Sequence, residues 1–138
     1  MASKWIAGLG VLILAALLSC SHKPSQTESS PSAEAKAYVR NLQLSEVSMK
    51  ATESYAKQVI TEIEGKVTNA GNRTVDFAEV ACVFYDSIGQ MVLREKATIV
   101  RRALRPGETQ AFRLPFDDIP ASWNNQMPQL VIVQIRLS

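Results

Sequence analysis

Residues that could do chemistry are few in this chain and lie far apart. The sequence has two cysteines, Cys20 and Cys82, and a single histidine, His22. A serine or cysteine nucleophile needs a base beside it, and a usual zinc site needs several histidine or cysteine ligands. Because the histidine stands in a polar stretch near the N-terminus, neither arrangement is expected in the rest of the chain. We therefore expect no catalytic residues, no cofactor and no metal site.

The other residues with chemical potential have simpler structural explanations. Cys82 stands inside the apolar run Val80-Ala81-Cys82-Val83-Phe84-Tyr85, so we expect a buried, unreactive thiol rather than a nucleophile. Asp117 and Asp118 could supply half of a carboxylate site or a pair of calcium ligands. No further acids cluster with them in the sequence, and a solvated loop after a strand is the favoured interpretation.

A concentration of basic residues is the feature that most suggests binding. The net charge of +2 gives no strong case for a nucleic-acid partner. Adjacent strands could nevertheless gather several of six neighbouring cations on one face: Arg94, Lys96, Arg101, Arg102, Arg105 and Arg113. Such a face would suit anionic lipid head groups, an anionic cell-wall polymer or an acidic partner protein. The competing interpretation is an ordinary charged sheet surface that protects an edge strand.

The first twenty residues have the pattern of an export signal. Lys4 supplies a positive charge, and an apolar run over residues 5–18 follows it. This run is shorter than the ~20 residues that a membrane-spanning helix needs, but it suits the hydrophobic part of a signal peptide. An ordinary cleaved signal peptide and an uncleaved N-terminal anchor are both compatible with this pattern.

The end of the run, Leu17-Leu18-Ser19-Cys20, resembles the lipobox of bacterial lipoproteins. The resemblance implies that residues 1–19 are removed as a signal peptide and that Cys20 carries a diacylglycerol group on its sulfur. The new amino group of Cys20 often carries a further acyl chain, such as palmitate. Two or more acyl chains give stable membrane anchoring, whereas one chain is marginal. The lipobox resemblance further implies a location in the bacterial cell envelope. Ser21 favours the outer membrane, facing the periplasm, if the host is Gram-negative.

Residues 20–37 form the predicted tether between the lipid and a folded domain. The segment is rich in serine, proline and charge and has no large apolar side chain, so it cannot bury enough surface to offset its chain entropy. We expect a flexible, disordered spacer in which His22 is solvated. Residues 32–37 are able to form a short helical turn, because alanine, glutamate and lysine favour helix.

From residue 38 onward, strand patterns alternate with turns. Residues 58–69 alternate clearly, with Thr61, Ile63 and Val67 on one face. Residues 80–85 are apolar on both sides, which is typical of a strand in the middle of a sheet. The remaining strands are predicted over residues 38–51, 75–85, 90–100, 112–116 and 129–137. A phase change near Ser45-Glu46 suggests a bulge in the first strand, and a helix over residues 33–44 is the competing interpretation. The last strand is predicted to place Val131, Val133, Ile135 and Leu137 on one face.

Turn residues separate these strands. Asp86-Ser87-Ile88-Gly89 is predicted to be a tight hairpin, and Arg105-Pro106-Gly107-Glu108 a type II turn. Asparagine and glycine in the turn at residues 69–72 are also able to take positive φ. Gly107→Val is expected to lower stability more than Gly71→Ala, because a branched side chain resists positive φ more strongly than alanine does. Trp123 is expected to cap the core. About six or seven strands over residues 38–138 predict an all-β fold, an immunoglobulin-like antiparallel sandwich without a disulfide.

Short motifs in this domain resemble FxLYD-type extracellular β-sandwich domains. They are Gly65-Lys66-Val67-Thr68-Asn69-Ala70-Gly71, Phe84-Tyr85-Asp86-Ser87-Ile88-Gly89, and Leu104-Arg105-Pro106-Gly107-Glu108 with Phe112. A related group of bacterial domains of unknown function has counterparts of Ile119-Pro120-Ala121-Ser122-Trp123-Asn124 and Pro128. The sequence departs from the naming motif, with Cys82 in place of phenylalanine and Phe84 in place of leucine. The resemblance implies the fold of about residues 42–137, and it implies no catalytic residues.

These patterns predict a membrane-anchored envelope lipoprotein, not an enzyme, whose domain binds a protein or a polymer. The expected partners are the membrane, through the lipid on Cys20, and an envelope protein or anionic polymer; no nucleic acid is expected. The alternative is a structural accessory subunit of an envelope or secretion assembly. An enzyme is a remote alternative.

Overall fold

The computed structural model of this chain describes residues 32–53 and 55–138. The predicted signal peptide, Cys20, His22 and the tether as far as residue 31 lie outside the described residues. The described chain begins with a short helix, α1 (Ala33–Tyr38), and a 3₁₀ turn (Val39–Asn41). Six strands follow it: β1 (Leu42–Glu53), β2 (Val59–Asn69), β3 (Val75–Tyr85), β4 (Met91–Val100), β5 (Thr109–Phe116) and β6 (Gln129–Leu137).

The six strands form two antiparallel sheets of three strands each. Sheet A has the order β1-β2-β5, and sheet B has the order β4-β3-β6. These orders match strands A-B-E and C′-C-F of an immunoglobulin sandwich. The predicted all-β immunoglobulin-like sandwich is therefore confirmed. The two strands with the clearest apolar patterns, β2 and β3, are the central strands of the two sheets.

The core lies between the two sheets and is built from alternate residues. On β2, Ile63 and Val67 are fully buried, and Phe112, Leu114 and Phe116 of β5 face the same interior. Phe84 of β3 is also fully buried and packs edge-on against Phe116, with ring centroids 5.1 Å apart. Such edge-to-face aromatic contacts are favourable beyond the area that they bury.

Trp123 closes this core at one end, as the sequence predicts. Its ring packs edge-on against Phe84, with centroids 5.5 Å apart, and its backbone pairs with Asp86 as an isolated bridge. The loop that carries Trp123 is thereby fixed to the β3–β4 hairpin. In that hairpin, the Asp86 carboxylate accepts bonds from the N–H groups of Ile88 and Gln90, and Gly89 has φ 83°. The predicted tight turn is confirmed.

Strand β1 contains the predicted bulge. Its pairing with β2 shifts register between Ser45 and Ser48, and Glu46 has φ 50°. The competing helical interpretation is right only for the first residues of the segment: helix α1 ends at Tyr38, and the chain is a strand from Leu42 onward. The sequence places the boundary of the tether at residue 37, but Ala35 and Tyr38 are both buried against the sandwich. The folded domain therefore includes residues that the sequence assigns to the tether, because helix α1 has two side chains that the core covers.

The single apolar face predicted for β6 is wrong. The pairing of β6 with β3 joins Ile132 to Val80 but Gln134 to Glu79, so Val133 is an extra residue at this point. A bulge of this kind reverses which residues face the core. Leu130, Ile132, Ile135 and Leu137 pack on the core, whereas Val131 is 41% exposed. The irregularity lies opposite Glu79 and Val80 of β3, and the pairing of β3 with β4 also shifts register next to it, between Ala78 and Glu79.

The buried side chain of Asn69 joins three separate segments at one end of the sandwich. Its amide nitrogen donates to the carbonyl oxygens of Arg73 (2.7 Å) and Leu104 (3.0 Å). Its amide oxygen accepts from the Tyr38 hydroxyl (2.8 Å) and from the N–H of Gly71 (3.1 Å). All four bonds of the amide are thus made inside the protein, as a fully buried polar group requires.

Gly71 is required for a different reason from the one that the sequence suggests. Gly89 and Gly107 have positive φ, whereas Gly71 does not. A Cβ atom at position 71 would instead lie 2.2 Å from the hydroxyl oxygen of Tyr38 and 2.5 Å from its Cζ atom. The glycine therefore makes room for the buried tyrosine. The type II turn at Gly107 is as predicted, with φ 81° and a bond from Glu108 N–H to the Arg105 carbonyl (3.0 Å).

We expect Asn69→Ala to lower the free energy of unfolding by about 3 kcal/mol. The substitution leaves several buried partners without a bond, and each such group costs ~1–3 kcal/mol. Urea denaturation of the variant measures the change. Asn72→Ala is the matched control, because Asn72 is exposed three residues away. An equal effect of the two substitutions would contradict the role assigned to the Asn69 amide.

Gly71→Ala is expected to destabilise the protein more than Gly107→Ala. The first creates a clash with a buried ring, which costs about 1–3 kcal/mol. The methyl group added by Gly107→Ala meets no atom within 4 Å, so this substitution carries only the cost of positive φ, about 1 kcal/mol. A Tyr38→Ala background supplies the control, since removing the ring should abolish most of the Gly71→Ala penalty. Thermal or urea unfolding of the four variants tests this; an unchanged penalty in that background would show that the clash is not the cause.

Candidate functional site

The six basic residues singled out in the sequence lie in three places. Arg94 and Lys96 stand on β4, paired with Val83 and Ala81 on the face of sheet B that points away from the core. Lys96 forms an ion pair with Glu79 at 3.6 Å. Arg113 stands on β5, on the outer face of sheet A. Because β4 and β5 belong to different sheets, the six cations do not share one face, although Arg113 lines a groove with Arg101 and Arg102.

The other three cations, Arg101, Arg102 and Arg105, lie together on the segment that connects β4 to β5. We call this segment, residues 101–108, the arginine crossover. It is held at its middle by Leu104, which is fully buried and exchanges both backbone hydrogen bonds with Val75, at 3.0 and 2.8 Å. The three arginine side chains on either side of Leu104 are exposed. A backbone segment fixed by hydrogen bonds thus presents exposed, charged side chains to solvent.

Two further contacts fix the end of the arginine crossover. The Glu108 carboxylate accepts a bond from the backbone N–H of Arg105 (2.9 Å), which closes the turn. The N–H of Gly107 donates to the Asn69 carbonyl (2.7 Å), and the N–H of Asn69 donates to the Glu108 carbonyl (3.0 Å). The turn is therefore attached to the end of β2 by backbone bonds as well as through the Asn69 side chain.

Two adjoining grooves run along the arginine crossover. One, of about 280 Å³, is lined by Arg101, Arg102 and Arg113 together with residues of β4 and β5. The other, of about 410 Å³, is lined by Arg102 and Arg105, with Glu108 as its acid. Arg102 and Gln110 belong to both grooves, and the Gln110 amide donates to the Arg102 carbonyl (3.1 Å). An extended or planar anion would meet guanidinium groups from both grooves at once.

The arginines of the crossover differ from Arg113 in their partners. Among residues 32–53 and 55–138, none of Arg101, Arg102 and Arg105 forms an ion pair. Arg113 donates through Nε to Glu64 (2.8 Å) and through Nη2 to Glu62 (2.9 Å). The guanidinium of Arg113 is thus already engaged, while those of the crossover are available to an anion from outside.

A four-residue charge network occupies the outer face of sheet A. Lys50 bridges Glu64 (2.8 Å) and Glu62 (3.2 Å), and Arg113 bridges the same two carboxylates. Hydrogen bonds from Lys50 and from Arg113 lower the pKa of Glu64 to about 2. The hydrogen bonds that Lys50 and Arg113 donate to Glu64 also raise the pKa values of these two cations above their usual ranges. These oppositely charged cross-strand neighbours are typical of a solvated sheet surface.

The remaining candidates give no reactive arrangement. Cys82 is fully buried, as predicted, and burial raises the pKa of its thiol to about 12, with the charge of Glu95 adding to the shift. A thiol in this state is a poor nucleophile. Asp117 and Asp118 are exposed in the loop after β5. In the part of the chain that the structure describes, no group of three or more histidine, cysteine or acidic residues is placed to hold a metal ion.

Two cations that the sequence analysis did not select lie at the same end of the sandwich as the arginine crossover. Lys36 is on helix α1 and Arg40 is in the 3₁₀ turn that follows it. Like the crossover arginines, they form no ion pair within residues 32–53 and 55–138. No local signal in the sequence could have found this grouping, since it depends on Tyr38 binding Asn69.

No helix in the described part of the chain has the length and apolar character needed to cross a membrane.

The fold assignment rests on the strand topology and not on comparisons with known proteins. Neither a protein-family profile nor a curated protein matches this chain. One similar solved structure is a Northeast Structural Genomics Consortium target, 9% identical over 72% of this chain and 86% of that one, with a TM-score of 0.46. Another is a candidate ApaA protein from Bordetella pertussis, 16% identical over 70% of this chain and 90% of that one, with a TM-score of 0.40.

We expect acid to remove the stability that the Glu64 carboxylate contributes. Its folded pKa of about 2 lies below the reference value of 4.5. The contribution is therefore complete above the unfolded-state value and is lost as pH falls from that value through the folded one. Urea midpoints of the wild type and of Glu64→Gln should differ at neutral pH and converge toward the lower end of this window. Glu53→Gln, at an exposed carboxylate, is the control and should follow the wild-type profile; a constant gap for Glu64→Gln would refute the assignment.

Proposed function

We propose that this chain is a lipid-anchored protein of the bacterial envelope whose sandwich binds an anionic partner through the arginine crossover. The observation that carries the proposal is the state of Arg101, Arg102 and Arg105. They are exposed, they line two adjoining grooves, and they form no ion pair within the described residues. The proposed role is binding rather than catalysis.

The chemistry of the side chains supports an anionic partner. Guanidinium groups stay charged at all relevant pH values and form paired hydrogen bonds with the planar oxygens of carboxylates and phosphates. Three such groups lie within five residues on one backbone segment, and Leu104 fixes that segment in the core. The segment therefore holds its positive charges at a constant place on the surface without using them for the stability of the fold.

The lipid anchor in this proposal is supported by the sequence. Leu17-Leu18-Ser19-Cys20 resembles a lipobox, and the first described residue, Ser32, stands twelve positions after Cys20. Helix α1 then begins, with the Ser32 hydroxyl accepting a bond from the N–H of Ala35 (3.1 Å). The order of anchor, spacer and folded domain is that expected of a protein that displays a binding domain on a membrane surface.

Intact mass of the membrane-extracted protein tests the anchor. We expect a mass that corresponds to a chain beginning at Cys20 with acyl groups attached. Cys20→Ala is the matched variant and should give a different N-terminus without acylation. A wild-type chain that retains residues 1–19, or that carries an unmodified Cys20, would contradict this part of the proposal.

Cross-linking in cells, followed by mass spectrometry, tests the binding surface. The full chain should give reproducible cross-links to an acidic envelope component, and the triple variant Arg101→Gln, Arg102→Gln, Arg105→Gln should lose most of them. The triple variant Lys57→Gln, Arg94→Gln, Lys96→Gln removes the same number of charges elsewhere on the surface and should keep them. Equal loss in the two variants would mean that net charge, not the arginine crossover, determines binding.

A further inference from the structure

The strand pairings define two opposite ends of the sandwich. We call the end with residues 42, 69, 75, 100, 109 and 137 the proximal end, and the other the distal end. Leu42 pairs with Asn69, Thr68 with Thr109, Ala78 with Val100 and Val75 with Leu137. The arginine crossover and helix α1 are both at the proximal end, because Leu104 pairs with Val75 and Tyr38 bonds to Asn69.

Charge is distributed unevenly between the two ends. The proximal end carries the cations Lys36, Arg40, Arg73, Arg101, Arg102 and Arg105. It also carries three acids, Glu34, Asp76 and Glu108, of which Glu34 pairs with Arg73. The distal end carries the acid Glu53 at the end of β1 and the acids Asp86, Asp117 and Asp118 in its loops, with Lys57 as their cation. The domain therefore has a positive end and a negative end.

The chain leaves the sandwich toward the anchor from the positive end. Ser32 caps helix α1, and that helix is fixed to the proximal end by the Tyr38 hydroxyl, which donates to Asn69 and accepts from the N–H of Arg73 (2.9 Å). The twelve steps from Cys20 to Ser32 can span at most ~40 Å even when fully extended. A lipid on Cys20 would thus keep the proximal end within that distance of the membrane surface.

We propose that the arginine crossover docks the proximal end of the sandwich onto anionic phospholipid head groups of the membrane that carries the anchor. This inference rests on the proposed function, since it names the anionic partner of the same arginines and takes Cys20 as the anchor. Basic residues near an anionic bilayer are attracted to it over about one screening length. The tether makes the contact intramolecular, so that a weak attraction is sufficient to hold it. The acidic distal end is repelled by the same surface, which selects one orientation.

Docking in this orientation turns the distal end outward. Several large apolar side chains are exposed there, including Ile88 and Met91 of the β3–β4 hairpin and Tyr55 of the β1–β2 loop. They would be displayed away from the bilayer. The arginine crossover is thus assigned a positioning role: it sets which end of the domain meets the membrane.

Fluorescence quenching on vesicles tests the orientation with the full lipidated chain. A probe is attached through Ala103→Cys at the proximal end or through Ser87→Cys at the distal end, both exposed positions. The buried Cys82 should not react, and the chain without an added cysteine measures any background. The protein is reconstituted into phosphatidylcholine vesicles with or without phosphatidylglycerol, each containing a lipid with a nitroxide on its head group.

We expect quenching at position 103 to increase when phosphatidylglycerol is present, and quenching at position 87 to stay low. The triple Arg101→Gln, Arg102→Gln, Arg105→Gln variant should lower the ratio of docked to free orientations by roughly fivefold or more for each arginine removed. Salt at about 1 M, where the screening length is about 3 Å, should have the same effect. The Lys57→Gln, Arg94→Gln, Lys96→Gln variant is the control and should dock like the wild type.

Equal quenching at position 103 with and without phosphatidylglycerol would overturn the docking proposal, as would quenching that is stronger at position 87. If position 103 is not quenched but the crossover arginines still determine cross-linking to an acidic polymer or protein, the arginines serve that partner and the proposed function survives. If the chain carries no acyl group by intact mass and does not float with vesicles, the proposed anchor fails instead. The two failures are therefore distinguishable.

Discussion

The amide of Asn69 is the interaction on which the proximal end of this sandwich depends. The two sheets share no strand, so the relative position of their connections has to be set by contacts between them. Asn69 ends β2, yet its side chain bonds to the β2–β3 turn, to the β4–β5 crossover and to the tyrosine of helix α1. Losing any of these partners would leave a buried polar group unsatisfied, which is why a fully bonded amide specifies one arrangement of the three segments.

That arrangement determines what the surface can do. Leu104 is buried in the core beside Val75, so the residues on either side of it must project outward. Ala103 and Arg105 are in those positions, and Arg102 is exposed next to Ala103. Tyr38 holds helix α1 at the same end, so the exit of the chain and the positive charges are fixed relative to each other by one buried hydrogen-bond network.

The parts of this fold that the sequence predicts are those governed by local rules. The alternation of β2, the Asp86 hairpin and the Gly107 turn depend on residues within a few positions of one another. The face that β6 turns toward the core does not depend on nearby residues, because a bulge opposite Glu79 of β3 reverses it. Gly71 is a similar case, because the space that it leaves is filled by Tyr38, 33 positions earlier in the chain. The basic cluster was predictable as a run of cations, but its division into three places follows from the assignment of β4 and β5 to different sheets.

The contrast between Arg113 and the crossover arginines indicates the kind of ligand that each can accept. Arg113 is held in one geometry by Glu62 and Glu64, so its charge is neutralised where it stands. The crossover arginines have a fixed backbone but no side-chain partner among the described residues that would fix the guanidinium groups. A single ligand of defined shape is bound best by side chains that are already oriented, because ordering them on binding costs entropy. A lipid surface has no fixed pattern of head groups, so it does not require the guanidinium groups to be held in one geometry before binding. This is the physical reason to favour a surface over a stereospecific ligand at the arginine crossover.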